Sequence, residues 1–146
     1  MPETKFRKIN NLIGWLLFSV AIVTYGLTVE PTASYWDAGE YISTSAKLQV
    51  GHPPGAPFFQ MMGAVFSMFA SSNESIAISV NFLSVVSSAF VILFLFWSTT
   101  LFLKKISKKN NFENDTNILL SSSIGALAFT FSDSFWFNAV ETEVYA

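Results

Sequence analysis

Residues 35–42 read YWDAGEYI, two acids three apart between aromatic residues. They follow closely on an apolar run long enough to cross a bilayer. On a helix, Asp37 and Glu40 at i,i+3 share one face. Carboxylates held close to hydrocarbon lose solvation, which makes them better proton acceptors near neutrality. The chemistry to look for is therefore general-base catalysis at a membrane surface. The plainer alternative is a pair of solvated interfacial acids, or an acid that merely caps a helix. A short helix is predicted after Pro31, through TASYWDAGEYISTSAKLQV, with Thr32 or Ser34 as the cap. Gly39 lowers helix propensity by about 1 kcal/mol relative to Ala. Its presence fits a place where something approaches the backbone closely.

Three further sites bear on this chemistry. In His52-Pro53-Pro54-Gly55, two prolines fix an extended segment and Gly55 frees the next turn. His52 there can bind a phosphate or orient an acid, or simply be satisfied by backbone. Asp133 lies inside an apolar run, and an acid within a membrane is a functional candidate by default. Snorkelling to the headgroups is its plainer explanation. Glu141 and Glu143 follow, and at i,i+2 they do not share a helix face, so one of the two is expected to point at a site.

The elements that position these residues are membrane helices. Of the 146 residues, 51% are hydrophobic and only 12% charged, against about 25% charged in soluble domains. The net charge of −2 leaves no basic face for nucleic acid. With no cysteine, neither a disulfide framework nor a thiolate metal site can be built. Uncharged runs cover 12–29 and 80–103, and 118–137 carries Asp133 alone. A bilayer core needs about 20 apolar residues, so all three are predicted to span as helices. Asp133 would then sit roughly 22 Å along the third span, near its outer end. The stretch 55–70 is shorter and broken by Gly55, Pro57, Gln60 and Gly63. It is predicted to lie on the membrane surface, with a re-entrant or spanning course as the alternative.

Basic residues favour that surface-lying course. Lys5, Arg7 and Lys8 precede the first span, and Lys104, Lys105, Lys108 and Lys109 follow the second. Both clusters fall on the cytoplasmic side only if 55–70 does not cross. The expected topology has a cytoplasmic N-terminus, an outer segment 30–79, an inner loop 104–117 and a third span leading outward. Both acid clusters then share the outer face. A cleaved signal peptide is the rival reading of the first span, but its apolar run is longer than the usual h-region.

Two blocks, YWDAGEYISTSAKLQVGHPPGAPFF and FSDSFWFNAVETEVYA, carry a family resemblance. The chain resembles the N-terminal region of bacterial multi-pass membrane proteins related to protein O-mannosyltransferases, which look like GT-C glycosyltransferases. The resemblance implies an all-α membrane fold, the N-terminal part of a GT-C-like helix bundle, with active-site loops on the periplasmic face of a bacterial inner membrane. It implies a polyprenyl-phosphate sugar donor, of mannose in such a family, and a protein Ser or Thr hydroxyl as acceptor. The family's first-loop acidic motif falls on Asp37 and Glu40, its His-Pro-Pro segment on His52, Pro53 and Pro54, and its second acidic element on Glu141 or Glu143. Where many members have adjacent acids, Ala38 and Gly39 separate the pair here, leaving open which acid is the base. Asp37 is favoured, with Glu40 orienting the acceptor or sharing its hydrogen bond.

Direct displacement would invert the anomeric centre. No metal is required for it when a cationic partner meets the phosphate, although such an acid cluster can hold a divalent ion through oxygen ligands. The basic residues expected to bind the lipid phosphate are not identifiable in this sequence. The run ending in ETEVYA reads as a truncated product, inactive by itself, with the rest of the enzyme beyond it. Two competing readings remain: a transporter or channel component built around Asp133, and a non-catalytic membrane anchor.

Overall fold

The computed structural model describes residues 2–109 and 114–143. Six α-helices follow in order: α1 Glu3–Leu27, α2 Ala38–Lys47, α3 Pro57–Ser67, α4 Ile76–Lys109, α5 Asp115–Thr130 and α6 Asp133–Ala139. A 3-10 turn at Asn73–Ser75 leads into α4. No strand occurs among the described residues. Two stretches, Glu3–Leu27 and Asn73–Lys108, are long and apolar enough to cross a membrane. A third crossing exists only if α5 and α6 count as one broken span.

The helices depart from the expected spans in instructive ways. α1 begins nine residues before the uncharged run and carries Lys5, Arg7 and Lys8 in its first turns. α4 likewise runs on through its lysines to Lys109, so most of the predicted loop 104–117 is helical. Residues 110–113 of that loop lie outside the described residues. Lysine is a good helix former, and charge alone does not end a helix. The run 118–137 is not one helix. α5 stops at Thr130, Phe131 caps it, and α6 starts at Asp133. Asp133 therefore opens a new helix, where a carboxylate suits the N-terminal end, and it lies within a span only if α5 and α6 form one broken crossing.

The chain forms two compact units, 1–21 with 89–132 and 22–88 with 133–146. In the first, aromatic side chains interlock the early part of α1 with α4. Trp15 meets Trp97 edge-on at 6.2 Å, and Phe18 lies 4.9 Å from Phe90. Gly14 permits this packing, since a Cβ there would come 2.5 Å from Trp97 Nε1. Lys104 sits 4.0 Å over the Phe6 ring and 3.4 Å from Glu3. Leu12, Leu16 and Val20 form an exposed apolar stripe at helical spacing on the same stretch of α1, the pattern of a helix in contact with hydrocarbon.

The second unit holds the acids. Its α3 reverses the soluble pattern: Gln60 and Gly63 are buried, while Phe58, Met61 and Val65 are exposed. The polar side faces α2. Gln60 donates to the Thr44 hydroxyl at 3.1 Å, and a Cβ on Gly63 would meet Ser45 Oγ at 2.5 Å. α6 is fastened to the end of α1 by buried Tyr25, which packs on Phe135 and Trp136, and by Trp136 Nε1 donating to Thr28 at 3.0 Å.

Asn81, fully buried near the start of α4, joins three segments of this unit. Its amide donates to the carbonyls of Glu30 at 2.6 Å and Thr32 at 3.0 Å, and its oxygen accepts from the Thr142 hydroxyl. Glu143 N–H then donates to Ser84 Oγ at 3.3 Å. Asn81, Ser84 and Ser88 make a buried polar line on α4. Asn81→Leu leaves two carbonyls and a hydroxyl without partners, which should cost about 2 kcal/mol or more. Ser19→Ala, whose hydroxyl only folds back on its own helix at Trp15, should change stability by less than about 0.5 kcal/mol. Equilibrium unfolding of the two variants in detergent checks the contrast.

Candidate functional site

α2 starts later than the sequence suggested. Its N-cap is Asp37, not Thr32 or Ser34, and the Asp37 side chain makes no capping hydrogen bond. Trp36, just before it, has φ +60 and is 95% exposed. A tryptophan in the left-handed region is strained, and such outliers gather at functional sites. The turn sets Asp37 at the mouth of the helix, while Glu40 sits in its first turn. The two acids are thus brought together by a third residue more than by a shared helix face.

That residue is His52. Its backbone N–H donates to Glu40 Oε1 at 2.6 Å, and its Nδ1 lies 2.9 Å from Glu40 Oε2. Its Nε2 lies 4.0 Å from Asp37 Oδ2. A carboxylate only accepts, so Nδ1 carries the proton in this pair and Nε2 is left to face Asp37. Both Glu40 oxygens meet His52, so Glu40 holds the histidine loop. The loop closes through Gly55, whose N–H donates to His52 C=O at 2.8 Å with φ +75. The glycine that allows close approach is Gly51, where a Cβ would lie 3.1 Å from Glu40 Oε1. Gly39, expected in that role, has only Ala33 near, at an ordinary 3.7 Å.

These contacts reverse the expected electrostatics of Glu40. The backbone N–H and ring of His52 hold its carboxyl below the usual 4.5. The hydrogen bond and charge of Glu40, with a further contribution from Asp37, push the His52 imidazole above 6.5. Desolvation acts the other way on both groups and loses, because both are solvent-accessible.

Asp37 and His52 line one cavity of about 370 Å³ with Tyr35, Trp36, Tyr41, Asn138, Glu141, Thr142 and Glu143. The sequence left open whether Glu141 or Glu143 reaches a site, and both line this one. Glu141 is only 6% exposed. Asp133 does not line the cavity and is exposed at the start of α6. A second cavity of about 330 Å³, mostly apolar, is lined by Phe58, Phe59, Met62 and Leu83. It shares Ala56 and Glu143 with the first. Sequence reasoning missed Asn81, Trp36 and Gly51. An asparagine within an apolar run was the available signal for the first, and nothing in the sequence marked the left-handed turn at Trp36.

Residues 37–146 match the sequence model of the protein O-mannosyl-transferase TMEM260 N-terminal domain. The chain belongs to this family. It is 32% identical over 132 residues to the protein O-mannosyl-transferase tmem260 of Dictyostelium discoideum. That alignment covers 90% of this chain and 14% of the relative, so the chain spans about one seventh of that protein's length. No solved structure matches. Family membership and the long apolar helices together make this an integral membrane protein.

The His52–Glu40 pair predicts a titration. Its histidine part is fully present below 6.5 and is lost as pH rises through the raised imidazole value. Its Glu40 part is present above 4.5 and is lost as pH falls through the lowered carboxyl value. As the lone histidine of these 146 residues, His52 gives one ring resonance, whose midpoint in metal-free buffer should lie above 6.5. Glu40→Gln should bring it down toward the ordinary value; an unchanged midpoint would mean the pair does not form.

Proposed function

We propose that this chain is the N-terminal, site-bearing part of a membrane glycosyltransferase with a GT-C-like helix bundle. It would transfer a sugar, mannose by the family's name, from a polyprenyl-phosphate donor to a protein Ser or Thr hydroxyl. The observation that carries the reading is the meeting of the two acid elements in one cavity, beside an apolar one. Asp37 and His52 come from the segment after α1, Glu141 and Glu143 from the segment after α6. The apolar neighbour has the character that an isoprenoid tail requires, and a polar head in the first cavity would lie next to it.

Asp37 is the base in this reading. Glu40 is occupied by His52, whereas Asp37 has only the 4.0 Å approach of His52. The acceptor O–H gives its proton to the Asp37 carboxylate as the oxygen attacks the anomeric carbon. The bond from that carbon to the lipid phosphate oxygen breaks, and its electron pair leaves with the phosphate. Attack opposite the leaving group inverts the centre. The role assigned to Glu40 changes from orienting the acceptor to orienting His52. Nothing in the surroundings of Asp133 favours the transporter alternative.

Two outcomes test the proposal in the full-length protein. Asp37→Asn should lower sugar transfer by about 10²–10⁴-fold, the usual worth of a general base, with membrane insertion unchanged; unaltered turnover refutes the base assignment. The proposed topology puts Ser43 outside and Asn110 inside. Single cysteines there, in a chain that has none, should give labelling by an impermeant maleimide in intact cells at 43 and not at 110. Labelling at both would mean that α3 belongs to a crossing.

A further inference from the structure

The residue just before the proposed base is held in a costly conformation without any packing to show for it. Trp36 is 95% exposed, more than any other large apolar side chain among the described residues. Its φ of +60 lies in the left-handed region, which bulky residues avoid. Burial does not offset that cost, because an indole this exposed packs on little. Glycine or asparagine would make the same turn with less strain. The position therefore keeps a ring where the backbone alone would favour a turn residue. Strain of this kind collects where a side chain must be presented to a ligand.

The rest of the cavity wall says which ligand. Trp36 lines the cavity together with Asp37, Glu141 and Glu143, and His52 is the sole basic residue of the lining. Ionised carboxylates only accept hydrogen bonds. They oppose a phosphate and suit a neutral group rich in O–H donors. A pyranose is such a group: hydroxyls surround its edge, and part of one face carries only C–H. The negative face of an aromatic ring takes weakly positive hydrogens, and its area covers apolar surface.

We propose that Trp36 is the platform on which the transferred sugar lies, with the C–H face of the pyranose on the indole and its hydroxyls directed to the cavity's carboxylates. The inference rests on the glycosyltransferase reading and names the part of the donor that this cavity takes. The base must reach the acceptor O–H as its oxygen attacks the anomeric carbon, so the sugar has to sit beside Asp37, and the next residue along the chain is the exposed ring. Tyr35, 81% exposed, lines the same cavity and extends the aromatic surface. Two other uses of an exposed indole are anchoring at the membrane interface and packing on another part of the full-length protein. Only the platform requires a flat ring and a sugar.

The test is binding with and without the sugar. Full-length protein in detergent is titrated calorimetrically with a short-chain prenyl phosphate carrying mannose, and with the same prenyl phosphate lacking it. Wild-type protein should bind the mannosyl lipid more tightly. Trp36→Gly removes the ring and relieves the backbone. It should weaken the mannosyl lipid by about 10-fold, the scale of one stacked ring. Affinity for the sugarless lipid should not change, and the melting temperature should be no lower than wild type. Trp36→Phe should keep most of the sugar-dependent affinity, and Trp36→Leu, apolar but not flat, should lose it. Sugar-dependent binding that ignores Trp36→Gly, or that Trp36→Leu retains, overturns the platform and leaves the glycosyltransferase reading standing. Wild-type binding that ignores the sugar, in protein that transfers it, does the same. Equal loss of both lipids with a fall in melting temperature assigns the ring to packing of the fold and also overturns the platform. Wild-type protein that binds neither lipid and transfers no sugar sinks the glycosyltransferase reading itself.

Discussion

The second unit depends on satisfying the buried amide of Asn81. A primary amide without partners in an apolar surrounding is costly. Here two segments that must converge on α4 supply the partners: the carbonyls of Glu30 and Thr32 from the chain leaving α1, and the Thr142 hydroxyl from the chain after α6. Each of those groups would itself be costly to bury alone. The amide therefore selects one arrangement in which all are satisfied together, and that arrangement brings Glu141 and Glu143 to the cavity that Asp37 and His52 also line. Hydrophobic burial gives no comparable direction to the fold, because many large apolar side chains on α1, α3 and α4 are exposed. In hydrocarbon, apolar side chains have little reason to prefer one neighbour over another.

A second layer of constraint fixes the chemistry. Glu40 accepts two hydrogen bonds from one residue, His52, and so turns a Pro-rich loop into a rigid presenter of Nε2. Gly51 allows the loop to come this close, and Gly55 allows it to turn back. Tyr41 packs against both His52 and Phe59 and ties the presenter to α3. Division of labour between the acids follows from this geometry. One carboxylate of the pair is consumed in positioning, and the other, at a strained helix start, remains available to a substrate.

The sequence made the helices and the candidate residues legible, because both leave strong local signals. Uncharged runs located the cores of α1 and α4, though the helix ends ran past them into lysine-rich turns that helix propensity tolerates. The acid pair, the histidine loop and the two later glutamates were all readable as chemistry. What the sequence could not show was how they pair. Whether Glu40 meets an acceptor or His52 depends on a tertiary contact across twelve residues, which no spacing rule encodes. The break between α5 and α6 was likewise hidden, since Ser132 and Asp133 within an apolar run read equally as a tolerated polar pair or as the end of one helix and the start of another.

Geometry distinguishes the pieces of the site that look redundant. Asp37, Glu141 and Glu143 line one cavity with a single imidazole, and Glu40 holds that imidazole. The carboxylates are not interchangeable, because one orients His52 and another stands at a strained helix start. On this view the acids, His52 and the neighbouring apolar cavity form one amphiphilic receptacle, in which the polarity of the head and the apolarity of the tail are each met by a separate wall.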